Sequence, residues 1–197
     1  MKRAYLMLAD GCEEIEALSV VDILRRGGAE VITVSVTGKS MIAGSHGIRF
    51  LADAVFRNSA EAQAADGETV FRFTDGDIVI LPGGLKGTNA LMAHEGVREV
   101  LENYRISGKM LAAICAAPSV LGRNNLLRGK KATCYPGFED KLTGAEPVPE
   151  GVVRDGNIIT GKSMAYSQKF ALAVLAALEG EEAAGKVGNG ICMPEER

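Results

Sequence analysis

One stretch, Met110-Leu111-Ala112-Ala113-Ile114-Cys115-Ala116-Ala117-Pro118-Ser119, constrains this chain more than any other. Its first five residues are an apolar run that reads as a buried strand. Pro118 then opens a helix, because its fixed φ and missing N–H suit the first helical position. A strand that turns directly into a helix, with a nucleophile at the corner, is a nucleophile elbow, usually written G-x-S-x-G. The backbone doubles back there, so small side chains must flank the corner. Ala113 and Ala117 supply them, and the pattern becomes Ala-x-Cys-x-Ala with sulfur in place of a hydroxyl. The competing reading is a free cysteine buried on a core strand, a common place for that side chain.

The rest of the chain provides a sheet for this corner. Residues 4–9 are apolar and stop at Asp10-Gly11, a turn signal. Residues 13–26 carry Ile15, Leu18, Val21 and Leu24 at helical spacing, with glutamates early, Arg25-Arg26 late and Gly27-Gly28 beyond. That charge order suits a helix dipole, and the glycines end it. Residues 30–36 are rich in β-branched side chains and read as a strand, completing a βαβ unit with parallel strands. A hairpin-like excursion is expected over 37–53 and a short helix in the alanine-rich 59–65. A central strand follows at 77–81 and a helix over 89–104. The elbow helix reaches about 121, with a short strand at 132–135 and a helical turn over 138–142. Asp155-Gly156 marks a hairpin. A final helix spans 165–179, extended or followed by a turn at 181–187, and the tail from Gly188 is expected to be mobile. Strands alternating with helices, without repeat or linker, predict one doubly wound α/β domain over 1–197.

Composition excludes several function classes. The formal net charge is −3 with both signs interspersed, which gives no footprint for nucleic acid or an anionic membrane. The longest apolar runs, 110–118 and 170–178, are far short of a membrane span. The apolar segment after Met1-Lys2-Arg3 stops at Asp10, too early for a secretory signal, so a cytoplasmic location is expected. Four cysteines without a CxxC pair and only two histidines argue against a zinc site. No cofactor or metal is expected.

In a doubly wound sheet, ligands bind beyond the carboxyl ends of the strands. Three features fall there: the 10–16 loop, Pro82-Gly83-Gly84 and Cys115. A thiol at a helix start is expected to have a lowered pKa. The amides of Ala116 and of the Gly83-Gly84 turn form a candidate oxyanion hole, with glycine permitting the close approach. A cysteine nucleophile needs a proton partner. His94 reads as part of an exposed helix face. His46 sits in a loop and is a minor candidate. Glu13, Glu14 and Glu16 are the remaining choices: a buried carboxyl stays protonated and shuttles a proton. The spacing leaves open which of them reaches the sheet's end, and all three as plain helix caps is the alternative. Cys12 reads as a small neighbour of the site rather than a resolving thiol. Cys134 and Cys192 read as a core thiol and a tail thiol.

Ala-Ile-Cys-Ala-Ala-Pro at 113–118, Asp-Gly-Cys-Glu-Glu-Ile-Glu-Ala at 10–17 and Leu-Pro-Gly-Gly at 81–84 resemble the ThiJ/PfpI superfamily, most of all the branch with the parkinsonism-associated deglycase. The resemblance covers nearly the whole chain. It implies a flavodoxin-like three-layer sandwich, a mostly parallel sheet with helices on both faces, and a homodimer. It places the reactive, oxidisable cysteine on Cys115 and the protonated glutamate on Glu16, with Gly84 and Ala116 as backbone donors. It implies cofactor-independent conversion of a small reactive aldehyde such as methylglyoxal, or removal of early glycation adducts. The alternative it carries is an oxidative-stress sensor or redox-regulated chaperone. Tyr135 stands where relatives often have a histidine, and His46 where they place a basic side chain at the dimer-side rim. Both are candidate substrate contacts. Ala116 replaces the histidine of the protease-like branch, which speaks against peptidase activity. The 57–74 region and the 161–166 loop depart from the family pattern.

Overall fold

Two-residue periodicity sorts the strand side chains onto two faces. In β1 (Arg3–Leu8), Tyr5 and Met7 join one apolar cluster while Ala4, Leu6 and Leu8 join the other. The same split recurs in β8 (Ile78–Leu81) and β9 (Met110–Ile114), whose residues are almost all fully buried. Such continuously apolar strands require cover on both sides, which is what a parallel sheet obtains from its crossover helices. The computed structural model, which describes residues 1–194, shows that arrangement.

The remaining strands, in chain order, are β2 (Glu30–Ser35), β3 (Met41–Ala43), β4 (Arg49–Leu51), β5 (Ala54–Asn58), β6 (Glu61–Ala64) and β7 (Val70–Arg72), then β10 (Lys131–Ala132), β11 (Glu146–Pro147), β12 (Val152–Asp155) and β13 (Ile158–Gly161). The main sheet runs β12-β13-β9-β8-β1-β2-β5-β6-β7. Pairing is parallel from β13 through β5 and antiparallel at both margins. The inner order is flavodoxin-like, with its switch point between β1 and β8. On one face α1 (Glu14–Arg26) packs with α5 (Ser167–Glu179) and α6 (Glu181–Gly190). On the other lie α2 (Leu85–Ala93), α3 (Glu95–Ile106) and α4 (Pro118–Arg123).

The expected excursion over 37–53 is the β3–β4 hairpin, and Asp155-Gly156 turns β12 into β13. Four expectations are corrected. The alanine-rich 59–65 is not a helix: β6 pairs with β5 and β7, and fully buried Ala62 faces the core. Sheet pairing overrides alanine's helical preference there. The helix expected over 89–104 is two helices. His94 takes φ −85°, ψ 106°, and its Nδ1 accepts the Val97 amide at 3.2 Å, so it caps α3 instead of riding an exposed helix face. The strand expected at 132–135 is only Lys131–Ala132. The tail is helical as far as Gly190, because Ala184 and Val187 are buried against the α1–α5 layer. The last three residues of that tail, 195–197, lie outside the described residues.

Candidate active site

The parallel order brings three strand ends together beside the switch point: the loops after β1 and β8, and the corner after β9. At that corner Cys115 has φ 65°, the left-handed region that L side chains rarely adopt. Such a conformation costs about 1–3 kcal/mol and persists only where neighbours enforce it. Here the Cys115 amide donates to Gly161 O at 2.9 Å and its carbonyl accepts the Tyr135 amide at 2.8 Å. Ser119 Oγ ties the first turn by donating to Ala116 O at 2.6 Å. The corner is therefore a nucleophile elbow with a half-buried thiol.

Glu16 comes to this thiol from α1. Its side chain is fully buried, and Oε2 accepts the Gly83 amide at 2.8 Å. Oε1 has no hydrogen-bond partner of the ordinary kind, and the carboxyl interacts with the Cys115 thiol. A buried carboxyl oxygen that receives no ordinary donor favours the neutral form of the group. Burial pushes Glu16 up to about 7, with the charge of Glu13 adding to the rise. Burial, and then the charge of Glu16, push the Cys115 thiol up to about 12. The amides of Gly84 and Ala116 act on the sulfur in the opposite direction. Both shifts run against the charged form, so the pair resists carrying two negative charges at once. The expectation of a lowered thiol is corrected: burial and Glu16 outweigh the Gly84 and Ala116 amides.

Gly83 also needs correction as an oxyanion donor, since its amide is committed to Glu16. Its real requirement is space: a Cβ there would stand 2.5 Å from Glu16 Oε2 and 2.6 Å from Cys115 Cβ. Gly84 has φ 83° and begins α2. It and Ala116 are the backbone donors facing the sulfur.

The other two glutamates separate. Glu13 is the N-cap of α1 and accepts the Glu16 amide at 2.7 Å. Glu14, also buried, turns to the β3–β4 hairpin. Its carboxylate accepts Ser45 Oγ, the His46 amide and His46 Nδ1. His46 therefore sits on Glu14, and the structure gives it no hydrogen bond to Cys115 or Glu16. Tyr135 reaches the site through its backbone, while its half-exposed ring packs edge-on against Phe138. Glu13, Glu14 and His46 each offer one ligand atom within 4.8 Å of the others. The Glu14 oxygens are already satisfied by hydrogen bonds, so this donor set is a poor fit for a resident metal. Cys12 packs into the α1–α5 core and Cys134 into the opposite one, while Cys192 is exposed. Sequence reasoning missed Gly161, which anchors the Cys115 amide, while the capping it kept as the alternative for all three glutamates holds for Glu13.

The fold and site define a class: a flavodoxin-like α/β protein with a cysteine elbow and a buried carboxyl partner. Comparison with known proteins agrees with the fold. Residues 2–177 match the DJ-1/PfpI family. The chain is 33% identical over 194 residues to protein dj-1beta of Drosophila melanogaster, covering 98% of this chain and 97% of that one. It is 33% identical over 189 residues to the Parkinson disease protein 7 homolog of Danio rerio, with 94% of each covered. The solved structure of oxidized Toxoplasma gondii DJ-1 superposes with a TM-score of 0.86 at 30% identity, covering 99% of this chain and 100% of that one. The protein belongs to the DJ-1/PfpI family.

Proposed function

We propose that the protein is a cysteine-dependent, cofactor-independent enzyme of the glyoxalase or deglycase type, acting on α-oxoaldehydes such as methylglyoxal or on their early adducts. The observation that carries this reading is the elbow thiol of Cys115 set against the fully buried Glu16 carboxyl, with the Gly84 and Ala116 amides facing the sulfur. The Glu16 carboxylate takes the thiol proton, which leaves the sulfur a thiolate. It adds to the aldehyde carbon, and the amides of Gly84 and Ala116 stabilise the oxyanion that forms. Glu16 gives its proton to that oxygen, yielding a hemithioacetal and a carboxylate. The carboxylate removes the proton from the former aldehyde carbon, giving an enediolate; the hydroxyl proton passes to the neighbouring oxygen, and Glu16 returns its proton to the adjacent carbon. The product is a thioester of the hydroxy acid. Water hydrolyses it, releasing lactate and restoring the thiol–carboxyl pair. The sum is methylglyoxal plus water to lactate and a proton, with no net oxidation. Tyr135 and His46 are proposed to contact substrate at the rim.

The test is lactate formation by the purified protein and by Cys115→Ser, with full activity in the variant overturning the mechanism. A second reading, a redox sensor or redox-regulated chaperone, is favoured by one observation: a similar structure is that of an oxidized DJ-1. Two equivalents of peroxide would convert the Cys115 thiolate to sulfinate through a sulfenic acid. A gain of two oxygens at Cys115 with negligible glyoxal turnover would select it.

The reading includes a homodimer in the cytoplasm. Ile15 and Leu18 on α1, and Met41, Ile48 and Leu51 around the adjoining hairpin, are exposed apolar side chains that support the dimer. Light scattering in solution tests it. No helix among the described residues is long and apolar enough to cross a membrane.

A further inference from the structure

We propose that Glu13 is a positioning residue for Glu16: its carboxylate clamps the start of α1 to the Gly83 turn and places a fixed negative charge beside the Glu16 side chain. The geometry is a closed circuit of three hydrogen bonds. The Glu13 amide donates to Gly83 O at 2.9 Å. The Gly83 amide donates to Glu16 Oε2 at 2.8 Å. The Glu16 amide donates to Glu13 Oε2 at 2.7 Å. This ring passes through Glu13 twice, once by its backbone and once by its side chain. It fixes the Glu16 carboxyl relative to the loop after β8, which also holds the Gly84 donor.

Capping alone does not account for glutamate here, because Ser, Thr, Asp and Asn are the usual N-caps. Glu13 does more with its extra length. Oε2 caps the helix while Oε1 lies 3.9 Å from His46 Nδ1, and the side chain is only 13% exposed. The charge is thus held near the pair rather than in open solvent. The charged and titratable groups facing the circuit are Cys115 against Glu16, the buried Cys12 thiol beside Glu13 and Glu14, and His46 towards Glu13 and Glu14. His46 Nδ1 lies closer to Glu14, at 3.0 Å, than to Glu13, at 3.9 Å, so Glu14 takes most of its charge. A negative charge at Glu13 makes the Glu16 proton harder to remove.

This inference rests on the proposed function only in taking Glu16 as the proton partner of the thiol. Its test therefore uses no glyoxal. The rate of Cys115 alkylation by iodoacetamide is followed from pH 4.5 to 9 by mass spectrometry of the peptide containing Cys115. Glu13→Gln keeps an acceptor and removes the charge, so the limb near pH 7 is expected to move down by about one unit. Glu13→Asp keeps the charge with a shorter reach, and its limb should stay within about 0.3 units of wild type. Glu13→Ala removes charge and clamp, and its plateau rate should also fall by at least about fivefold. A Glu13→Gln limb coincident with wild type, or a Glu13→Ala plateau equal to it, overturns the proposal. Circular dichroism melts check folding, and if Glu13→Ala does not fold, Glu13→Gln and Glu13→Asp carry the decision. A shifted limb in a protein without methylglyoxal turnover would keep the role of Glu13 and remove the glyoxalase reading.

Discussion

Glu14 and Glu16 lie two residues apart in the first turn of α1, and both are buried, yet their surroundings drive them in opposite directions. Burial alone would raise both. Around Glu14 it is outweighed by the His46 side chain, backbone amides and Ser45, which bring the carboxyl down to about 2. Glu16 receives one strong amide bond, keeps an oxygen without an ordinary partner and rises to about 7. Both side chains are closed to solvent, but Glu16 lies deeper in the protein and has fewer donors, so depth and donor number together yield an anion on one side of the helix and a proton carrier on the other.

The sign of each shift fixes its effect on stability. A carboxyl lowered on folding stabilises the protein above its ordinary pKa, so the Glu14 contribution is lost as pH falls from about 4.5 towards 2. A raised carboxyl does the reverse: the Glu16 contribution is present below about 4.5 and is lost as pH rises through about 7.

The contrast can be broken most sharply at Glu16. Glu16→Gln is expected to lower lactate formation by about 10³-fold. In urea unfolding at pH 8 the same variant should be more stable than wild type by about 2–3 kcal/mol, with the difference gone below pH 4.5. Equal stabilities at pH 8 would show that Glu16 is not raised. Next in size, Gly83→Ala inserts a methyl group between the carboxyl and the sulfur, and turnover should drop about 10²-fold with the fold intact by circular dichroism. Glu14→Gln should act on stability instead, costing about 2–3 kcal/mol in urea at pH 7 because three donors lose their anion. It should leave the pH limb of Cys115 alkylation in place. A moved limb would mean that the two sides of the helix communicate. The smallest effect belongs to Ser45→Ala, about 1 kcal/mol in the same unfolding experiment, since two His46 donors remain on Glu14.

Much of this site is legible in the chain because it rests on local rules. Alanines at 113 and 117 announce a tight corner, and glycines at 83 and 84 announce close approach. Choosing among the three glutamates was a different problem. Helical spacing pairs Glu13 with Glu16, but Glu13 has φ −78° and ψ 119°, so it stands outside the helix and its side chain turns back as a cap. Only the family resemblance selected Glu16. The amide of Gly83 illustrates a second limit: glycine makes a donor accessible without saying which acceptor claims it. In the sheet, the error at 59–65 came from a segment whose partners are distant in kind. Alanine has no strong strand preference, and Ala62 is buried only because β5 and β7 flank it. His94 shows the converse, a boundary made by one side-chain nitrogen where the apolar pattern runs on unbroken.

The left-handed backbone at Cys115 has a consequence for how this sequence would drift. Glycine, or asparagine, occupies that conformation at lower cost than cysteine. A library randomised at position 115 and sorted only for thermal resistance should therefore enrich glycine and asparagine. The same library sorted for thiol chemistry should return to cysteine. The corner sets durability against usefulness at a single position, and the residue found there tells which of the two the lineage kept.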